Sequence, residues 1–300
     1  MAHLQAVQNT LQPQQNNFSH LTTYFDEHNQ VAWGYMHGEP RPCFTPTLLR
    51  EMLSWWNSMV SMIDNPAEKD VKYFVLASNV PDVYSLGGDL NLFRQHIAAH
   101  DRAALYNYAI SCIDSSWAVH RHLNRPNVTS IALVQGQALG GGFECALAAN
   151  VLIAERETKM GLPEILFNLF PGMGAMTYLG RRVGHQLAEK IIRSGKLYLA
   201  EELYELGVVD VLAEPGEGEA AVYEHVRREE KSRNGILGLR AAREISQPAS
   251  YEELVRITEI WVDAALRLES KDLRMMERLV ARQTGKAEIA NTGDSVVLSA

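Results

Sequence analysis

The sequence predicts an α/β domain with largely parallel strands, followed by a C-terminal helical region. Three observations carry this expectation. Residues 71–77, 128–134 and 151–154 are short runs rich in β-branched, aromatic and other apolar side chains, a length and composition that suit buried strands. Segments with helical spacing and glycine turns alternate with them. From Gly172 onward the helical pattern dominates.

Residues 1–20 are polar, with few apolar anchors, and read as a flexible leader. They contain no basic patch running into an apolar stretch, so they do not read as a secretory signal. The core begins near Leu21, and residues 24–36 read as one or two strands of a hairpin. Pro40, Pro42 and Pro46 make 38–46 a loop. Thr45 and Pro46 then cap and open a helix in which Leu49, Met52, Leu53, Trp56, Met59, Val60 and Ile63 recur at helical spacing. Asp89 is placed to cap a helix over 90–97. A long helix over 103–122 ends before Arg125-Pro126, because the residue preceding proline disfavours helix.

Residues 136–142 form a glycine-rich turn, followed by a short helix over 143–149. Helices over 185–193 and 200–206 close at Gly195 and Gly207, and 208–212 reads as a short strand. After an acidic loop at 214–219, two long helices over 219–232 and 251–282 precede a poorly patterned tail. The expected division is a leader at 1–20, an α/β core at 21–210 and a helical region at 211–300.

The formal net charge of -8 argues against a nucleic-acid partner, which needs a basic face to displace counterions. Cys43, Cys112 and Cys145 are too few and too irregularly spaced for a disulfide framework, and suit a reducing, cytoplasmic compartment. No run approaches the roughly 20 apolar residues of a membrane span. His96 and His100 share a helical spacing and His120 and His122 diverge, but no acidic or thiol partner completes a metal motif. Gly-x-Gly-x-x-Gly fails because Cys145 stands at the last glycine position, so no dinucleotide cofactor is expected.

Gly140-Gly141-Gly142 follows a strand and opens a helix. It reads either as a close helix–strand crossing or as a set of exposed amides at a positive helix end. Tyr84-Ser-Leu-Gly-Gly-Asp89 is a second strand-to-helix transition of the same kind. Two N–H groups from separate loops can form an oxyanion hole.

The run from Gly136 to Glu144, the run Gly161-Leu-Pro-Glu164-Ile, the stretch Phe170-Pro-Gly-Met-Gly174 and the segment Tyr84–Asp89 together resemble the crotonase (enoyl-CoA hydratase/isomerase) superfamily. Residues 200–211 resemble its alanine-led helix ending in Gly-Leu-Val, with Val208 replacing the leucine, and the likeness spans roughly residues 24–280. The 40–45 loop and the Phe167–Gly174 stretch look most like the diffusible-signal-factor synthase branch.

The resemblance implies a spiral of ββα units with helices at the C-terminus. It places Glu144 and Glu164 on the two acid–base positions and Leu86 and Gly141 on the oxyanion amides. Gly87, Gly88 and Gly140 permit the turns beside the substrate, while Leu139, Met173 and Trp261 line an acyl pocket.

The implied reaction is dehydration of a medium-chain 3-hydroxyacyl thioester to a cis-2-enoyl thioester, then hydrolysis to a free acid that serves as a cell–cell signal. Two alternatives stand beside it: an ordinary enoyl-CoA hydratase or isomerase, and a protein that docks on a signal receptor with catalysis secondary. Asp82, where relatives that hold coenzyme A often carry a basic residue, weakens coenzyme A as the thioester carrier and leaves acyl carrier protein beside it as a candidate. Arg41, Arg94, Arg181 and Arg182 are candidate docking charges. The resemblance also implies a homotrimer or homohexamer.

Overall fold

Strands β1 (Leu21–Asp26) and β2 (Val31–Met36) form the expected hairpin, paired antiparallel from Leu21 opposite Met36 to Asp26 opposite Val31. The computed structural model describes residues 18–38, 41–65 and 70–278. The leader reading therefore falls outside the described residues except at its end, where Ser19 and His20 donate to the Glu51 carboxylate. Helix α1 (Pro46–Asp64) is capped by Thr45, whose hydroxyl accepts the Leu48 N–H, and Pro46 occupies its first turn.

Strands β3 (Tyr73–Ser78), β5 (Thr129–Val134), β7 (Val151–Glu155) and β10 (Val211–Ala213) continue a six-stranded sheet in the order β1-β2-β3-β5-β7-β10, parallel from β2 onward. Parallel strands are covered on both faces, which is why their sequences lack alternation. Tyr73, Val75, Ile131, Leu133 and Ile153 pack with Val222 and Val226 of helix α8 (Gly218–Glu230). Phe74, Leu76, Ala132 and Val134 face the larger core on the other side, with Trp55 and Trp56.

A second sheet was not visible in the sequence. Strands β4 (Val83–Ser85), β6 (Gln137–Leu139), β8 (Lys159–Gly161) and β9 (Leu197–Leu199) have three residues each, too short to show a period, and β6 lies inside the expected glycine turn. They pair in the order β4-β6-β8-β9. Each of β3, β5 and β7 thus leads into a short strand of this second sheet and then into helix. The helices are α2 (Leu90–Ala98) and α3 (Arg102–His120) after β4, α4 (Gly141–Ala148) after β6, and, after a 3-10 turn (Pro163–Phe167), α5 (Ala175–Val183). The repeated ββα unit places three strand-to-helix turns side by side.

Several boundaries differ from expectation. Helix α3 ends at His120 rather than residue 122, because His122, Leu123 and Asn124 adopt positive φ. Helices α6 (His185–Ser194) and α7 (Ala200–Glu205) agree with their expected positions. Val208 and Val209 are not strand: both N–H groups donate to the Leu203 carbonyl, closing α7. Strand β10 carries the main sheet beyond residue 210, and α8 packs on it, so the sheet continues into the expected helical region.

Helix α9 (Arg233–Ser246) was missed because it buries no residue. Arginines hold it instead, Arg233 to the Tyr73 hydroxyl and Arg240 to the Val128 carbonyl. The helix expected over 251–282 is interrupted. Helix α10 (Tyr251–Ala265) stops, the Asp272 carboxylate accepts the Glu269 N–H, and helix resumes over 270–278, with the remainder and the tail outside the described residues.

Candidate active site

Glu144 lies in the first turn of α4 and is 1% exposed. Its Oε1 accepts the N–H groups of Met173 and Ala175, each at 2.9 Å, while Oε2 is buried without a partner. Glu164 sits on the 3-10 turn after β8, and its Oε2 is likewise sealed and unpartnered. Burial pushes both carboxyls above the ordinary carboxylate range. The two N–H bonds partly offset this for Glu144, whereas the neighbouring Glu144 charge raises Glu164 further. The Met173 and Ala175 N–H groups favour negative charge on Glu144.

The glycines explain the approach of the two turns. Gly142 is a packing glycine: a Cβ there would stand 2.3 Å from the Ser85 carbonyl oxygen. Gly140 has φ +52, and its N–H donates to the Gly161 carbonyl. Gly141 opens α4, so its N–H has no intrahelical acceptor. Both readings of this cluster are thus realised, at different positions.

The first amide requires a correction. The N–H of Leu86 donates to the Pro42 carbonyl at 2.8 Å and is committed to that bond. The amide facing Gly141 is that of Gly88: a Cβ on Gly141 would lie 3.3 Å from the Gly88 nitrogen. One on Gly87, at φ +90, would lie 3.0 Å from the Gly141 nitrogen. Neither the Gly88 nor the Gly141 N–H is bonded to a carbonyl in this network of turns.

A cavity of about 210 Å³ opens beside these groups. Leu86, Gly87, Gly88, Leu139, Gly140, Gly141, Glu164, Met173 and Trp261 all line it, so the structure gathers almost every expected site residue around one space. Glu144 lies behind Met173, joined to it by the backbone bond. The apolar wall also uses Leu90, Phe93, Phe167, Leu169 and Leu197, which no motif marks. The Trp261 ring lies 5.0 Å from that of Phe93 at a 60° tilt and touches Gly172, where a Cβ would meet it at 2.3 Å.

A wider groove of about 680 Å³ shares Gln137 with this cavity and is lined by Asp82, Glu155, Glu157 and Lys159. The four arginines considered as docking charges are each engaged: Arg41 with Asp89, Arg94 with Glu277, Arg181 with Glu253 and Arg182 with Asp210. Among the described residues, no group of three His, Cys, Asp or Glu side chains is placed to hold a metal ion, and no helix is long and apolar enough to cross a membrane.

One buried carboxyl, one on the cavity wall, two convergent amides and an apolar cavity suit proton transfer beside an oxygen that gains charge. Comparison with known proteins agrees. Residues 41–260 match the profile of the enoyl-CoA hydratase/isomerase family. The chain is 31% identical over 157 residues to the mitochondrial methylglutaconyl-CoA hydratase of Rattus norvegicus, a match covering 52% of this chain and 47% of that protein. The chain thus spans about half the length of that curated relative, and less of some others.

The enoyl-CoA hydratase of Bacillus halodurans shares the fold with a TM-score of 0.71 at 19% identity, over 88% of this chain and 100% of the other. Pseudomonas aeruginosa DspI shares it with a TM-score of 0.55 at 23% identity, over 89% and 96%. The ββα spiral with its helical C-terminal region is the crotonase fold, and with the profile match across most of its length the chain belongs to the enoyl-CoA hydratase/isomerase family.

Proposed function

We propose that the protein dehydrates a medium-chain 3-hydroxyacyl thioester and hydrolyses the product to a free cis-2-unsaturated fatty acid used as a diffusible signal. The observation that carries the chemistry is the pair of sealed, unpartnered carboxyl oxygens on Glu144 and Glu164 beside the Gly88 and Gly141 amides. The amides hold the thioester oxygen as it becomes an enolate. Glu144 and Glu164 shuttle protons between C2 and the 3-hydroxyl: one carboxylate takes the C2 proton while the other, as the acid, protonates the 3-hydroxyl, which leaves C3 as water. In the second step the carboxylate left ionised by the first takes a proton from water as it adds to the thioester carbonyl, the same amides hold the tetrahedral oxygen, and the other carboxyl gives its proton to the departing thiolate, which restores the pair. The apolar cavity takes the acyl chain, with Met173 and Trp261 as its adaptable and broad walls.

An acyl carrier protein is the proposed carrier. Asp82, Glu155 and Glu157 give the adjoining groove an acidic lining that repels nucleotide phosphates. A cytoplasmic homo-oligomer, trimeric or hexameric, belongs to the same proposal, and exposed Leu239 and Ile245 on α9 offer apolar surface for it. The second reading, an ordinary enoyl-CoA hydratase, is favoured by the family profile and the names of the curated relatives.

Incubation with a medium-chain 3-hydroxyacyl thioester, on carrier protein and on coenzyme A, separates the two readings. Mass spectrometry is expected to find free cis-2-unsaturated acid. Reversible hydration without release of acid would leave the hydratase reading. Full signalling by a Glu144→Ala, Glu164→Ala double variant would instead favour the receptor-docking role.

A further inference from the structure

The turn bearing the Gly88 amide is strapped by the proline-rich loop that precedes α1. The strap has four ties. Pro42 accepts the Leu86 N–H at 2.8 Å, and Phe44 donates its own N–H to the Gly87 carbonyl at 2.8 Å. Arg41 pairs with Asp89 at 2.8 Å, with side chains only 11% and 14% exposed. The fourth tie is indirect. The hydroxyl of Tyr108, on α3, accepts the Asp89 N–H at 3.0 Å and donates to the Phe44 carbonyl.

Phe44 and Gly88 form an isolated parallel bridge, in which the Phe44 carbonyl faces the Asp89 N–H. The Tyr108 phenol oxygen bonds both of these groups. The consequence falls on a single peptide plane. The Gly87 carbonyl and the Gly88 N–H belong to the same peptide unit, and a trans peptide points them in opposite directions. Tying the carbonyl to Phe44 therefore aims the N–H away from the strap, and the bond polarises the donor. Tyr108 ties strap to turn one residue beyond that plane, at the Asp89 N–H. It is buried, at 6% exposure, and held edge-on to Phe93 at 5.2 Å.

We propose that Tyr108 is a positioning residue for the oxyanion site, its hydroxyl fixing the direction of the Gly88 N–H through the Phe44 strap. This rests on the oxyanion role given to Gly88 above. Tyr108 touches no substrate in this account. Its loss weakens the hold on charge that develops in the transition state and leaves ground-state binding of the acyl chain unchanged.

The test compares Tyr108→Phe with the parent and with Glu144→Gln and Glu164→Gln, using the medium-chain 3-hydroxyacyl thioester on both carriers. The expected result is a kcat reduced about tenfold with KM within about twofold, less than the loss of a whole oxyanion donor. Should Tyr108→Phe fail to fold, Tyr108→p-aminophenylalanine keeps the ring and a donor to Phe44 but accepts poorly from Asp89. It is expected to lower kcat in the same selective way. Parent-like kcat and KM in the variant, or a rise in KM alone, with Glu144→Gln inactive, would overturn the positioning role and leave the site reading intact. Parent-like activity in both glutamate variants would instead overturn the site reading on which the proposal rests.

Discussion

Gly140 and Glu164 are in such close register that a Cβ on Gly140 would stand 2.4 Å from the Glu164 Oε1. Because Gly140 also has φ +52, alanine there is strained as well as obstructed. Gly140→Ala is expected to displace the Glu164 carboxyl and reduce kcat by roughly 10²-fold, the scale of a general acid or base contribution. It should also cost about 1–3 kcal/mol of stability, the usual range for a disfavoured backbone region. Steady-state kinetics and urea unfolding check both, and parent-like kinetics would remove Glu164 from the chemistry.

The carboxyl pair makes stability depend on pH with a definite sign. Both folded pKa values lie above the ordinary 4.5, so the folded state binds more protons than the unfolded chain between that value and the raised ones. The pair's contribution is full below about pH 4.5 and is lost as pH rises through the raised values. Glu164→Gln is expected to flatten this decline in urea titrations from pH 5 upward, with Glu144→Gln acting in the same direction. An unchanged slope in both would contradict the burial of the charges.

Two histidines work in the opposite sense. Burial lowers His120 and His122 from 6.5 to about 4, and His120 packs on the Tyr178 ring at 4.9 Å. Their contribution is present above pH 6.5 and lost as pH falls through about 4, since the unfolded chain takes up protons first. A His120→Asn, His122→Asn double variant should be less stable at neutrality yet lose less on acidification, as followed by thermal melts between pH 7 and pH 5.

Trp261 lines the cavity proposed for the acyl chain, between Phe93 and Gly172. Trp261→Ala should cost about 3–5 kcal/mol as a large-to-small core change. In the protein that remains folded, the ratio of kcat/KM for longer against shorter acyl thioesters should rise about tenfold or more, the effect of a methylene or two in an apolar pocket. A chain-length series measures this. An unaltered ratio would place the acyl chain elsewhere.

Much of the candidate site was legible in sequence because its determinants are local. Glu144 and Glu164 stand at set distances from their glycine and proline neighbours, and Gly141 opens a helix whose start is marked by the turn before it. The strands of the main sheet were legible too, since burial on both faces leaves continuous apolar runs. The second sheet was not, because three-residue strands have no period and form only where β4, β6 and β8 are brought side by side. Helix α9 was hidden for a related reason: its anchors are arginines reaching Tyr73 and Val128, contacts without helical spacing.

The sequence by itself determined the alternation of main-sheet strands with helices and marked Glu144 and Glu164 as the candidate carboxyls. The tertiary structure decided which amide faces Gly141. Leu86 and Gly88 stand in the same motif, but the Leu86 N–H is taken by Pro42 from a distant loop. A hydrogen bond between segments remote in the chain leaves no mark in the spacing of either. The same holds for Tyr108, whose place in an ordinary helix says nothing of the two backbone groups its hydroxyl joins.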